Sequence, residues 1–257
     1  MRFVDSHCHL EAQEFEHDLV NVIEDGVNSG IVKFITSAVY PEQWNKSIEL
    51  SSIYNQVEST IGVHPWYAKV EHFTKLDELP MIIHKYKIVA IGEIGLDRKI
   101  ENPPFELQEA IFEKQLKIAK EINIPVVIHC RGAFPDLIRI VKKVGLPQKG
   151  GLIHAYKGSV EITKQLLPLG FYFSFGCALT YPHSYKRANV INMVYPEKIL
   201  VETDSPDIPP AGNTNKRNVP SNIRLVVNEL SKYLNKTEEE IAEKTTQNAI
   251  SLFSLDI

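Results

Sequence analysis

The residues with most chemical potential stand at the start of the chain, where Asp5-Ser6-His7-Cys8-His9 follows the apolar pair Phe3-Val4. Successive side chains of a β-strand point to opposite faces, so alternation predicts Asp5, His7 and His9 on one face. Two imidazoles and a carboxylate converging on one point make a poor hydrophobic core and a good divalent-metal site. Further polar groups end other apolar runs: His64 in Gly62-Val63-His64-Pro65, Glu93 and Asp97 in Gly92-Glu93-Ile94-Gly95-Leu96-Asp97, His129 in His129-Cys130-Arg131, His154, and Glu202 and Asp204 in Glu202-Thr203-Asp204-Ser205-Pro206. Taken singly, a histidine at a strand end is ordinarily a hydrogen-bonded structural residue. Together, the buried acids would repel one another without a counter-charge. One or two divalent cations supply that charge, and the same side chains become their shell.

Short β-rich runs alternate with amphipathic helices. The strands are expected at Phe3-Val4, Ile31–Thr36, Thr60–Val63, Ile88–Ile94, Pro125–His129, Leu152–His154, Phe171–Phe175 and Ile199–Glu202. Helices are expected from about Phe15 to Asn28, Pro41 to Tyr54, Pro104 to Glu121, Pro135 to Val144, Val160 to Leu167, Tyr185 to Met193, Ser221 to Leu234 and Glu238 to Phe253, with Thr237 as N-cap of the last. Mostly apolar strands, each followed by a helix, predict an α/β fold with a parallel sheet. Eight such units favour a (β/α)8 TIM barrel whose active site lies at the C-terminal ends of the strands. The alternative is an open doubly wound sheet, but no glycine-rich phosphate loop follows the first strand. No linker divides the chain, so residues 1–257 read as a single domain, with Pro206 to Pro220 as a long loop on the working face.

The 257 residues carry net charge −4 and are 44% hydrophobic, which suits one large domain and excludes a broad basic nucleic-acid surface. The three cysteines, Cys8, Cys130 and Cys177, form no CxxC pair and no disulfide framework. With no signal-peptide pattern and no membrane-length apolar run, the expected location is cytoplasmic.

The ordered set Asp5-Ser6-His7-Cys8-His9, GVHP, GEIGLD, HCR, ETDSP and Asn218-Val219-Pro220 resembles the TatD family of metal-dependent deoxyribonucleases, nearly end to end. The resemblance implies metal-dependent hydrolysis of DNA phosphodiesters by a metal-activated water, with 3′-5′ exodeoxyribonuclease action and little sequence preference. It implies two divalent ions of zinc, manganese or magnesium: His7 and His9 on one, His129 and His154 on the other, Glu93 bridging. Asp204 would bind and orient the nucleophilic water and is a plausible general base. Asp204, Glu93 and His64 are thus the candidate catalytic residues. His64 and Arg131 would meet phosphate, Arg131 alternatively forming a salt bridge to Asp97. Asp5 and Glu202 would support the ligands, and Asn218 would hold the loop after the last strand. DNA is the expected partner, with no membrane and no obligate protein partner.

The remaining histidines have plainer readings: His17 and His72 at the surface, His84 at a helix end and His183 in the loop after the seventh strand. Cys8 and Cys130 alternate with the ligands and should pack in the core. Lys186-Arg187 and Lys216-Arg217 are either a basic rim or ordinary solvated faces, and Trp66, Tyr156 and Tyr181 are candidate base platforms. Two stretches depart from the family pattern: Gly132-Ala133 stands where an acid-alanine pair is common, and Arg98-Lys99-Ile100 where aromatics often begin the loop. Both bear on specificity. The same barrel would also serve an esterase or amidase, such as an aminoacyl-tRNA deacylase, or a metal-retaining binding protein with little turnover.

Overall fold

Eight parallel strands neighbour one another in chain order: β1 (Phe3–Cys8), β2 (Ile31–Ala38), β3 (Val57–Ile61), β4 (Ile88–Asp97), β5 (Val126–Arg131), β6 (Gly151–Ile153), β7 (Phe171–Phe175) and β8 (Ile199–Val201). The computed structural model describes residues 1–182 and 187–257. Helices cover the sheet: α1 (Leu19–Asn28), α2 (Pro41–Ile53), α3 (His72–Lys75), α4 (Leu79–Lys85), α5 (Phe105–Glu121), α6 (Phe134–Val144), α7 (Val160–Leu166), α8 (Ala188–Val194), α9 (Ile223–Leu234) and α10 (Glu238–Phe253). The expected helix start at Tyr185, together with His183 and Lys186, lies outside the described residues.

The sheet curls into a nearly closed barrel. Its seam, between β8 and β1, is closed by Ser6 Oγ donating to Val201 O at 2.8 Å and by Thr203 N and Oγ1 donating to the Asp5 carboxylate at 2.9 and 2.6 Å. Beyond it, Asp204 N donates to His7 O and His9 N to Ser205 O. Two apolar layers hold the barrel. Residues such as Phe34, Phe112 and Phe173 pack between sheet and helices. Val4, Ile35, Val127, Leu152, Tyr172 and Leu200 fill the inside, joined by Leu252 and Phe253 of α10. Thr246 Oγ1 donates to Arg2 O and Asn248 Nδ2 to Ile199 O, pinning α10 at the N-terminal ends of β1 and β8. The inner space is thus apolar at one end and free for polar groups at the other. Thr237 accepts from Glu240 N, as its N-cap role predicts.

Several boundaries move, β1 running on to Cys8 and β4 to Asp97, and two of the shifts have a visible cause. β3 starts at Val57 because Glu58, Ser59 and Thr60 each find a buried partner: Lys33, Ser47 and Ser37. α1 starts at Leu19, after a separate short turn over Gln13–Phe15, where Arg217 lies over the buried Phe15 ring and pairs with Asp18. No helix among the described residues is long and apolar enough to cross a membrane.

Candidate metal centre

Glu93, buried in the C-terminal half of β4, divides its two oxygens between two sets of imidazoles. Oε2 lies 3.4 Å from His7 Nε2 and 3.7 Å from His9 Nε2. Oε1 lies 2.7 Å from His154 Nε2, 3.3 Å from His64 Nε2 and 3.4 Å from His129 Nδ1. Asp204 Oδ1 closes the first set, 3.4 Å from His7 Nε2 and 3.5 Å from His9 Nε2. Residues far apart in sequence meet because each stands at the C-terminal end of its strand.

The partners of each outer ring nitrogen decide what the inner one presents. His9 Nδ1 lies 2.8 Å from Ser37 O, an acceptor only, so the proton sits on Nδ1 and Nε2 turns a lone pair inward. His129 Nε2 donates to Asp97 Oδ2 at 3.2 Å, leaving the Nδ1 lone pair inward. His64 is the reverse: its Nδ1 accepts from Trp66 N at 3.1 Å, so the neutral ring carries its proton on Nε2 and faces Glu93 as a donor. His7 Nδ1 meets Ser37 Oγ at 3.1 Å. Neither nitrogen of the buried His154, nor His7 Nε2, meets a partner at hydrogen-bonding geometry. Orphaned imidazole nitrogens facing carboxylates are the donor set a divalent cation takes.

The electrostatics agree. Burial works to lower the pKa of His7, but Glu93 and Asp204 outweigh it and hold it up at about 10. Burial is likewise overcome at His129, raised to about 9 by Asp97 and Glu93, and at His9, raised by Asp204 and Glu11. Burial opposes ionisation of Glu93 and Asp204, yet His154 and His64 hold Glu93, and His7 and His9 hold Asp204, well below the carboxylate range. His64 goes the other way, lowered to about 4 chiefly by burial, and stays neutral. The acids draw protons onto three imidazoles; a divalent cation on the same nitrogens would take the place of those protons. Among the described residues, three groups bring ligand atoms within 4.8 Å of one another: His7, His9 and Asp204; His7, Glu93 and His154; and His64, Glu93 and His129. His64 belongs by distance, but its donor tautomer sets it apart from the ligating type.

Asp5 departs from the expectation. Between Asp5 and Cys8, β1 takes three steps while its partner takes two, from Phe34 to Thr36. That extra residue breaks the alternation, so Asp5 does not share the face of His7 and His9. Its carboxylate fastens Thr203 instead, with only a 3.5 Å approach to His7 N. Glu202 accepts from Ala155 N at 2.7 Å and from Ser174 Oγ, and lies 3.9 Å from His154 Nδ1. Burial raises its pKa, against the attraction of His7. Asn218 does hold the loop: Nδ2 donates to Thr203 O and Ile208 O.

The site opens into a cleft of about 1040 Å³. Arg131 lines it, 54% exposed, with Nη1 3.7 Å from Asp97 Oδ2, so the salt bridge to Asp97 is formed at the mouth of the cleft. Arg217 is taken up by Asp18 and Glu14 O, and Arg98 by Asp136 and the Phe105 ring. Tyr156 is no base platform: it is buried among Phe134, Phe173 and Phe175, with its hydroxyl on Thr163. Tyr181 gives its hydroxyl to Pro209 O. His72 is buried rather than at the surface, lining the cleft, whereas His17 and His84 are exposed. Cys8 is buried and Cys130 half-buried. Sequence reasoning missed Glu11, which lies 3.3 Å from His9 Nδ1, and the orienting role of Asp97. The continuing alternation His7, His9, Glu11 was the available signal for the first.

A family model described as TatD related DNase matches residues 4–254. Among relatives, the chain is 32% identical to the Bacillus subtilis protein named uncharacterized metal-dependent hydrolase YabD, over 98% of this chain and 99% of that one. It is 31% identical to the Homo sapiens deoxyribonuclease TATDN3, over 97% of this chain and 94% of that one. Among solved structures, the Escherichia coli TatD homologue YjjV superposes with TM-score 0.93 at 30% identity, covering 99% of each chain. A more distant one, the E. coli phosphotriesterase homology protein, has TM-score 0.70 at 14% identity over 99% of each chain and speaks for the barrel alone.

Proposed function

The chain belongs to the TatD related DNase family, and from that premise we propose that it is a two-metal phosphodiesterase that removes nucleotides from the 3′ end of DNA. The observation that carries the proposal is the division of Glu93 between His7 and His9 on one side and His129 and His154 on the other. His7, His9 and Asp204 would hold one ion, His129 and His154 the other, and Glu93 would join them. Two bound divalent ions supply an activated water and neutralise the charge that builds on phosphate.

The chain's own residues supply the rest. Asp204, held ionised by its imidazole neighbours, takes the proton from the attacking water. His64, neutral with its one proton on Nε2 beside Glu93, would turn that donor from Glu93 to a phosphate oxygen when substrate is bound. Arg131, paired through Nη1 with Asp97 but half-exposed at the mouth, has further guanidinium N–H groups to offer a phosphate. Asp97 holds the His129 ring and Glu11 with Ser37 the His9 ring, so both lone pairs stay aimed. Asp97→Asn is therefore expected to weaken metal retention about 10- to 100-fold, by the usual effect of removing an orienting carboxylate. Competition with a calibrated chelator measures it; unchanged affinity would mean that His129 needs no such support.

A substrate panel tests the function. End-labelled single- and double-stranded DNA, RNA, aminoacyl-tRNA and a simple phosphodiester are offered with magnesium, manganese or zinc. The expected result is stepwise nucleotide release from labelled DNA, abolished by chelation. Carbonyl-ester hydrolysis without nucleotide release would transfer the assignment to the deacylase reading.

A further inference from the structure

His64 is flanked by two exposed aromatic side chains on the short turn Pro65–Tyr67. Trp66 is 46% exposed and Tyr67 41%, an unusual exposure for large rings beside a polar centre. Neither hangs loose. The only polar atom of the Trp66 side chain, Nε1, donates to buried Asp97 at 2.7 Å, which fixes the plane of the indole. That plane stands at 87° to the His64 ring with centroids 5.2 Å apart, and lies 6.1 Å from His129. On the other side, the Tyr67 ring lies 6.2 Å from His64 and packs against Tyr40 at 4.8 Å. Tyr67 N donates to His64 O and Trp66 N to His64 Nδ1, so the turn is closed on itself and tied to the imidazole. All three aromatic residues line the cleft.

The two sides differ in charge. Asp97, which holds Trp66, also pairs with Arg131 at 3.7 Å, so a half-exposed guanidinium stands on the Trp66 side. Tyr67 is followed two residues on by Lys69, which pairs with Glu71 at 4.0 Å, and Glu14, Glu42 and Asp207 line the cleft as well. A phosphate chain would run past the Arg131 guanidinium on the Trp66 side.

We propose that Trp66 and Tyr67 are base platforms on either side of His64, Trp66 stacking the penultimate base of an unpaired strand and Tyr67, backed by Tyr40, the terminal one. This rests on the phosphodiesterase reading and deepens it: the substrate class is a strand end whose last two bases are unpaired. A base in a duplex is already stacked on its neighbours and cannot lie on both rings.

The test is kcat/KM for nucleotide release from single strands with all bases present, with the terminal base removed, or with the penultimate base removed. Trp66→Ala and Tyr67→Ala should each lose about tenfold on the complete strand, the usual worth of one stacked base. The Trp66→Ala loss should vanish on the strand lacking its penultimate base, and the Tyr67→Ala loss on the strand lacking its terminal base. Trp66→Phe, which keeps a ring but not the Asp97 hydrogen bond, should retain most activity on the complete strand. Metal content should match the parent in all three. Equal losses on complete and abasic strands, no loss, or the reverse assignment of the two rings would overturn the proposal. If the parent enzyme released no nucleotide from any strand, the phosphodiesterase reading would fall and this inference with it; losses that ignore the bases in an active enzyme defeat the inference alone.

Discussion

Asp204→Asn is expected to lower nucleotide release by about a thousandfold, the middle of the range for removing a general base. The exchange keeps size and shape but removes the negative charge and the proton-accepting oxygen. It should leave the fold intact for a specific reason. Asp204 sits at φ 58°, the left-handed region that asparagine tolerates as readily as aspartate. Its backbone N–H to His7 O, which helps close the barrel seam, does not depend on the side chain. Thermal unfolding should therefore stay close to the parent while kcat collapses. A loss below tenfold, with the parent's metal content, would remove Asp204 from the proton transfer.

Gly95→Ala should do as much damage by a different route. Gly95 pairs with His129 across β4 and β5, and its φ is +141°, which L side chains rarely adopt. A Cβ added there would stand 1.9 Å from His129 O, a backbone atom that cannot swing aside. Strain and overpacking together should destabilise the chain by about 3 kcal/mol or more. Because the displaced strand carries His129, an ångström of movement should also cost on the order of a hundredfold in rate. Thermal unfolding and metal analysis read the two effects. Parental stability together with parental metal content would contradict the close passage of β4 and β5.

The difference between these two positions shows what the sequence could convey. The barrel was legible because six of the eight apolar runs end in His, Glu or Asp, and a parallel barrel brings all those ends to one rim. That reasoning places His7, His9, Glu93, His129, His154 and Asp204 together, and the structure does the same. It fails where an answer depends on register. Asp5 looked like a third member of the His7 and His9 face, but one extra residue in β1 turns it to Thr203. Tyr156 looked available for stacking, yet it follows β6 directly into the layer under α6 and is buried there. His72 has polar neighbours in sequence but is covered in the fold. The distinction between His64 and the ligating histidines was also invisible, since it rests on a backbone N–H two residues on rather than on residue type. Asp97 read as the tail of GEIGLD; only the fold shows it holding His129, Trp66 and Lys99 N at once.

The most direct test is bound metal per chain set against nucleotide release. Protein stripped by a chelator and titrated with zinc, manganese or magnesium should regain release from single-stranded DNA as it approaches two ions per chain. The His7→Ala/His9→Ala protein should remain folded and bind fewer. Full release by the stripped protein, or parental metal content in the double variant, would contradict the account.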